Sequence, residues 1–150
     1  MINLSLKEKW MLYALREAEK ALRMEEVPIG AIIIKKDKII GRGFNQVESL
    51  NDATAHAEIL AITSAASTNG DWRLNECSIY VTKEPCIMCY GAIVNSRISD
   101  IYYGLSDMDK GFNSLNDKID LYTSHLKFIE GNILELESKR IIQDFFRKKR

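Results

Sequence analysis

Hydrophobic residues return every third or fourth position near the start of the chain. Leu6, Trp10, Ala14, Ala18 and the Ala21/Leu22 pair trace one stripe of a helix, and Ser5-Leu6-Lys7-Glu8 has the Ser-x-x-Glu form that caps one. The spacing predicts a first helix to about residue 24. The period then changes. Residues 27–34 and 39–40 are apolar runs around the polar turn 35–38, as in two paired strands, with Pro28 at the strand start where a missing N–H does least harm. Gly41 and Gly43 lead into a polar loop, 45–52, which ends at Thr54, a residue suited to capping a second helix over about 55–67. A third strand is expected at 78–82. Pro85 fits the first turn of a third helix reaching about residue 95. Short strands follow at 101–103 and 126–129, the segment 106–124 is mostly polar, and 133–149 closes as an amphipathic helix with a cationic end.

Strands separated by helical patterns imply a sheet covered on both faces, and the opening hairpin makes that sheet mixed. The expected fold class is α/β, a three-layer α/β/α sandwich around a roughly five-stranded sheet, with 1–150 as a single domain. A length of 150 residues and 46% hydrophobic content suffice for one core. Lysine plus arginine equals aspartate plus glutamate at 21 each, so any polyanion site must come from local clustering. The opening MINLSLKEKW is charged rather than signal-like, and no apolar run approaches the ~20 residues of a membrane span. The reading is a cytoplasmic protein, where three cysteines do not make a disulfide framework.

Two short stretches carry chemistry. His56-Ala57-Glu58 places one of only two histidines two positions from an acid, and side chains so spaced cannot share a helix face. Cys86-Ile87-Met88-Cys89 is the other. A redox dithiol would follow the first strand of a thioredoxin-like order, which this chain lacks, and two cysteines packed as small apolar residues are the bland alternative. Metal binding is favoured. Two thiolates and one imidazole suit zinc and leave a fourth tetrahedral position for water, as in a catalytic site. If two helices point their N-terminal ends at one ion, His56 and Glu58 both reach it, and the helix dipole favours thiolates at Cys86 and Cys89. A closed structural site would need Cys77 or His125 as fourth ligand.

His-Ala-Glu at 56–58 with Pro-Cys-x-x-Cys at 85–89 resembles the signature of the zinc-dependent nucleoside and nucleobase deaminases. The stretches at 27–31, 43–45, 54–59, 84–89, 91–92, 96–98 and 144–147 look like the bacterial members that act on adenosine in tRNA, and they span nearly the whole chain. The pattern departs at Lys83, where an apolar residue is common, and at Tyr90, where a small one is usual. The resemblance implies a cytidine deaminase-like fold, with one Zn²⁺ per subunit held by His56, Cys86 and Cys89 and with Glu58 as proton shuttle. It also implies that Asn45 hydrogen-bonds the base, with Pro28, Ile29, Ala57 and Glu84 around it. Phe145, Phe146 and Arg147 would lie along a tRNA anticodon loop, and a second copy of the chain would complete a homodimer. The implied reaction is hydrolysis of wobble adenosine to inosine. Lys139, Arg140 and residues 147–150 put six cations on the last helix, which suits phosphates or simply a solvated helix end. Free guanine, cytosine or a nucleoside remains an alternative substrate, and a catalytically inactive zinc-stabilised RNA-binding subunit is a further one.

Overall fold

The computed structural model describes residues 3–115 and 125–149. Part of the polar 106–124 segment, 116–124, and the terminal Arg150 lie outside them. Helix α1 (Leu6–Arg23) opens on the expected cap: the Glu8 N–H donates to Ser5 Oγ at 3.2 Å, and the Ser5 N–H donates to Glu8 Oε1 at 2.9 Å. Its buried stripe is Met11, Ala14, Leu15, Ala18 and Ala21.

Strands β1 (Gly30–Lys35) and β2 (Lys38–Phe44) form the hairpin. Lys36 and Asp37 at its tip both have positive φ, 49° and 60°, the turn geometry that matches the twist of paired strands. The ladder begins three residues later than the hydrophobic run suggests. The carbonyls of Val27 and Ile29 instead accept from Asn45, whose backbone N–H donates to Ile29 at 3.0 Å. At the other end β2 runs on through both glycines, and the reason is packing. A Cβ on Gly43 would collide with the Ala57 carbonyl and the Ala61 nitrogen, and one on Gly41 would meet the backbone of Ala61 and Ala65. Glycine therefore lets helix α3 (Ala57–Asn69) press directly on the strand.

A short helix absent from the sequence reading, α2 (Val47–Leu50), interrupts the polar loop. Strand β3 (Cys77–Lys83), helix α4 (Ile87–Asn95), strand β4 (Asp100–Leu105), a single 3₁₀ turn (Phe112–Leu115), strand β5 (Phe128–Glu130) and helix α5 (Glu135–Lys148) complete the order. The sheet runs β2-β1-β3-β4-β5, with β1 antiparallel to both neighbours and β3, β4 and β5 mutually parallel. The mixed five-stranded sheet matches the expected three-layer fold.

Alternation along the strands separates two cores. Ala31, Ile33, Ile79, Val81, Ile101 and Tyr103 face α3 and α4, whereas Ile32, Ile34, Tyr80 and Tyr102 face α1 and α5. The central strand β3 leads into α4 at the end of the sheet where β3 and β4 have their C-termini, and α3 begins at that same end. There the chemistry collects.

Candidate active site

His56 is the residue at which α3 starts, and Cys86 is the residue at which α4 starts. Both have extended backbone (φ −73° and −74°), and neither side chain caps its own helix. Thr54, the expected cap, lies before the helix and gives its hydroxyl to Asp52 at 2.8 Å. Cys89 sits in the first turn of α4, and Glu58 in the first turn of α3. Two helix N-termini thus converge, and their positive ends favour anionic ligands.

Nδ1 of His56 lies 3.7 Å from Cys86 Sγ and 3.5 Å from Cys89 Sγ, and the three donor atoms fall within 4.8 Å of one another. Zn–S bonds of ~2.3 Å and Zn–N bonds of ~2.0–2.1 Å at tetrahedral angles put N and S about 3.6 Å apart. The residues present fit a tetrahedral ion with one position left over. Cys77 is fully buried at the far end of β3, its thiol 3.6 Å from the Asn75 carbonyl, and neither it nor His125 joins this group among the described residues. No fourth protein ligand closes the site there.

The electrostatics follow from the crowding. A hydrogen bond from the Cys89 thiol, aided by His56 and by the Cys89 N–H, drives Cys86 down to about 3, against its own burial. That same bond, with burial, pushes Cys89 strongly up. Contact with Cys86 raises His56 above its ordinary value. Glu58 is 4% exposed, and desolvation lifts its carboxyl to about 7. Such a group exchanges protons near neutrality.

A cavity of about 130 Å³ opens over these residues, lined by Ile29, Asn45, His56, Ala57, Glu58 and Cys86 on one side. Lys83, Glu84, Asp107 and Lys110 line the other. It is far below the ~300–1,000 Å³ of drug-sized sites and suits a single ring system. Pro28 is buried next to Ile29 rather than among the lining residues. Tyr90 is 2% exposed and stacks on Phe112 with ring centroids 4.5 Å apart, so its bulk goes into the core instead of the cavity.

Two buried carboxylates hold the loops on either side. Glu26 accepts the N–H groups of Glu48 at 2.9 Å and Ser49 at 2.7 Å, which fixes α2 beside Asn45. Burial opposes its charge, yet these bonds hold its carboxyl below the usual value. Glu84 accepts the N–H groups of Asp107 and Asn113, both at 3.0 Å, and so pins the loop after β4. Asn45 itself donates to the Val27 carbonyl and accepts from the Val47 N–H, each at 3.2 Å. Asp107 accepts from the N–H groups of Lys110 and Asp109 and pairs with Lys83 at 3.1 Å; against its burial, these contacts hold it below the ordinary carboxylate range.

Glu26, Asp107 and Lys110 escaped the sequence reading. Asp107 and Lys110 left a trace, in the Asp-x-Asp-Lys-Gly turn.

The C-terminal residues divide. Phe145 is 6% exposed, Phe146 is 49% exposed at nearly a right angle to it, and Arg147 is exposed and paired with Asp144. Lys149 lies over the Phe145 ring at 5.0 Å and helps to hold the Glu26 carboxyl down, which places the end of α5 near the α2 loop. No helix among the described residues is long and apolar enough to cross a membrane.

A family model for MafB19-like deaminases matches residues 6–150. A tRNA-specific adenosine deaminase of Buchnera aphidicola subsp. Schizaphis graminum is 45% identical over 143 residues, 94% of each chain. A solved structure from work on A-to-I editing by tRNA:A34 deaminases at the wobble position superposes with a TM-score of 0.83 at 38% identity, over 89% of this chain and 98% of that one. The Bacillus subtilis guanine deaminase structure is more distant, with a TM-score of 0.67 at 32% identity over 78% of each chain. With the paired helix N-termini, the three-donor group and a match over almost its full length, the chain belongs to the MafB19-like deaminase family, alongside the tRNA-specific adenosine deaminases.

Proposed function

We infer that this chain hydrolyses adenosine to inosine at the wobble position of a tRNA anticodon. The observation that carries the reading is the buried Glu58 carboxyl beside a three-donor group with a coordination position to spare, in a chain alike along 94% of its length to a tRNA-specific adenosine deaminase. A zinc ion held by His56, Cys86 and Cys89 would supply Lewis-acid activation of water at neutral pH.

The chain's own residues account for the proton traffic. Glu58 takes a proton from the water that attacks C6 of adenine and delivers it to ring N1. It then carries the second proton to the exocyclic amine, so that the C6–N bond breaks and ammonia leaves. Water and adenosine become inosine and ammonia, with nothing left over. Asn45 keeps one amide N–H and one carbonyl lone pair beyond its two loop bonds, and these orient the base. Ile29 and Ala57 form the apolar walls, with Pro28 supporting them, while Glu84 keeps the opposite loop in place. Phe146 and Arg147 engage the anticodon loop, Phe146 by stacking and Arg147 through phosphate, with Phe145 as their buried support. A homodimer, whose second subunit adds to the RNA surface, and a cytoplasmic location belong to the same reading.

The guanine deaminase likeness supports a second reading, a free-base substrate. Ammonia release from an anticodon stem–loop, measured beside guanine, cytosine and adenosine, separates them. Preference for the stem–loop is expected; turnover of guanine without turnover of RNA would overturn the conclusion. An inactive zinc-stabilised RNA-binding subunit has no use for Glu58, and deamination by the purified chain would remove that alternative.

A further inference from the structure

We propose that Lys83 is a phosphate-anchoring residue for the nucleotide whose base enters the cavity, held in place by Asp107. The inference rests on the RNA reading above and names a contact for that same site. A cavity of about 130 Å³ takes a base and leaves its ribose and phosphates at the opening. The floor is formed by residues almost without exposure, Ala57 at 0% and Glu58 at 4%. Lys83 lines the same cavity and its side chain is 31% exposed, so it borders both the cavity and solvent.

Lys83 is not a free surface lysine. It ends β3, paired with Leu105 in the parallel register, and the next N–H, that of Glu84, donates to the Leu105 carbonyl at 2.8 Å. Its Cα is therefore fixed by the sheet. Its Nζ is fixed by Asp107 Oδ2 at 3.1 Å, and the other Asp107 oxygen is taken up by the N–H groups of Asp109 and Lys110. Asp107 is thereby held by its own loop, and Glu84 holds that loop in turn.

An ammonium has three donors, of which Asp107 takes one. Among the described residues the other two meet no partner and are left for a phosphate at the opening, and a lysine already immobilised loses little further side-chain entropy on binding it. If the position needed only a wall, an apolar side chain would serve without the desolvation that a half-buried charge entails. The rival role is a brace, in which Lys83 merely steadies the loop through Asp107.

The two roles part under salt. Steady-state kinetics of wild type, Lys83→Met and Lys83→Arg on an anticodon stem–loop, run across a salt series and paired with thermal unfolding, decide between them. Lys83→Met should raise KM several-fold with kcat held, and the dependence of log KM on log salt should flatten by about 0.7, one single-strand phosphate contact. Lys83→Arg should restore both. If Lys83→Met leaves KM and slope at wild-type values, the anchor is overturned; if it lowers kcat and the unfolding midpoint together without altering the slope, the anchor is overturned and the brace stands. A wild-type protein inactive on RNA would defeat the substrate reading and this inference with it; an active one indifferent to Lys83 defeats the inference alone.

Discussion

The end of the sheet where α3 and α4 begin and the end of α5 are both rich in functional residue types, yet they are built differently. At the sheet end, side-chain positions follow from helix starts: His56 and Cys86 begin α3 and α4, and Glu58 and Cys89 lie in the first turns. Buried carboxylates pin the loops on both sides. At the end of α5, three consecutive residues have three fates, with Phe145 in the core, Phe146 half exposed and Arg147 in solvent. The contrast teaches that groups set at fixed distances are placed by backbone, whereas the end of α5 leaves its outer side chains to solvent.

The largest effect should come from the fixed end. Glu58→Gln removes the proton carrier of the proposed mechanism but no member of the three-donor group, so turnover should fall by about 10²–10⁴-fold while zinc content stays at the wild-type level. Metal analysis beside an ammonia assay checks it; turnover near wild type at full zinc occupancy would take Glu58 out of the mechanism.

The α5 residues provide the sharpest break in the comparison. Phe145→Ala empties a core position and should lower stability by about 3–5 kcal/mol, whereas Phe146→Ala should leave the unfolding midpoint nearly unchanged and weaken RNA binding through lost stacking. Denaturant unfolding and binding measured on both variants would sort them. Equal loss of stability in the two would mean that Phe146 is structural as well.

Packing of α3 on β2 predicts an intermediate effect. Gly43→Val drives a side chain into the backbone of α3 at Ala57 and Ala61 and should lower stability by about 1–3 kcal/mol, with activity falling too because His56 and Glu58 ride on that helix. A Cβ added at Gly91 of α4 meets nothing within 4 Å, so Gly91→Ala should hold or raise the unfolding midpoint. Thermal melts of the pair test whether the glycines of β2 set the height of the site.

The grouping of His56, Cys86 and Cys89 was legible because its spacing is local and its residue types are rare. One of two histidines precedes a helix, and two of three cysteines sit three apart after a proline. Helix α1 was legible for the same kind of reason, with both halves of its cap lying within four residues. What escaped depends on contacts far apart in sequence. The reach of β2 through Gly41 and Gly43 is decided by α3, and Glu26 acquires its purpose only from the N–H groups of Glu48 and Ser49, over twenty positions away. Thr54 looked like a cap because threonine caps helices, but Asp52 competes for its hydroxyl. The role of Glu84 as a loop anchor was equally hidden, since its partners come from the far side of β4.

The smallest effect belongs to Arg147. Its guanidinium is exposed and its pairing with Asp144 is an i,i+3 contact on a helix surface, so removing it should leave stability close to that of the wild type. In RNA binding, the loss should be modest in size but distinctive in kind. An arginine that touches phosphate releases a counterion, so Arg147→Ala should flatten the salt dependence of stem–loop binding by about 0.7 and weaken every anticodon sequence alike. An arginine serving only to complement the negative end of α5 would leave the slope untouched. Binding isotherms at several salt concentrations therefore decide whether the adjustable end of the molecule reads RNA or merely finishes a helix. If the slope does not move, the two regions differ in function and not only in how they are built.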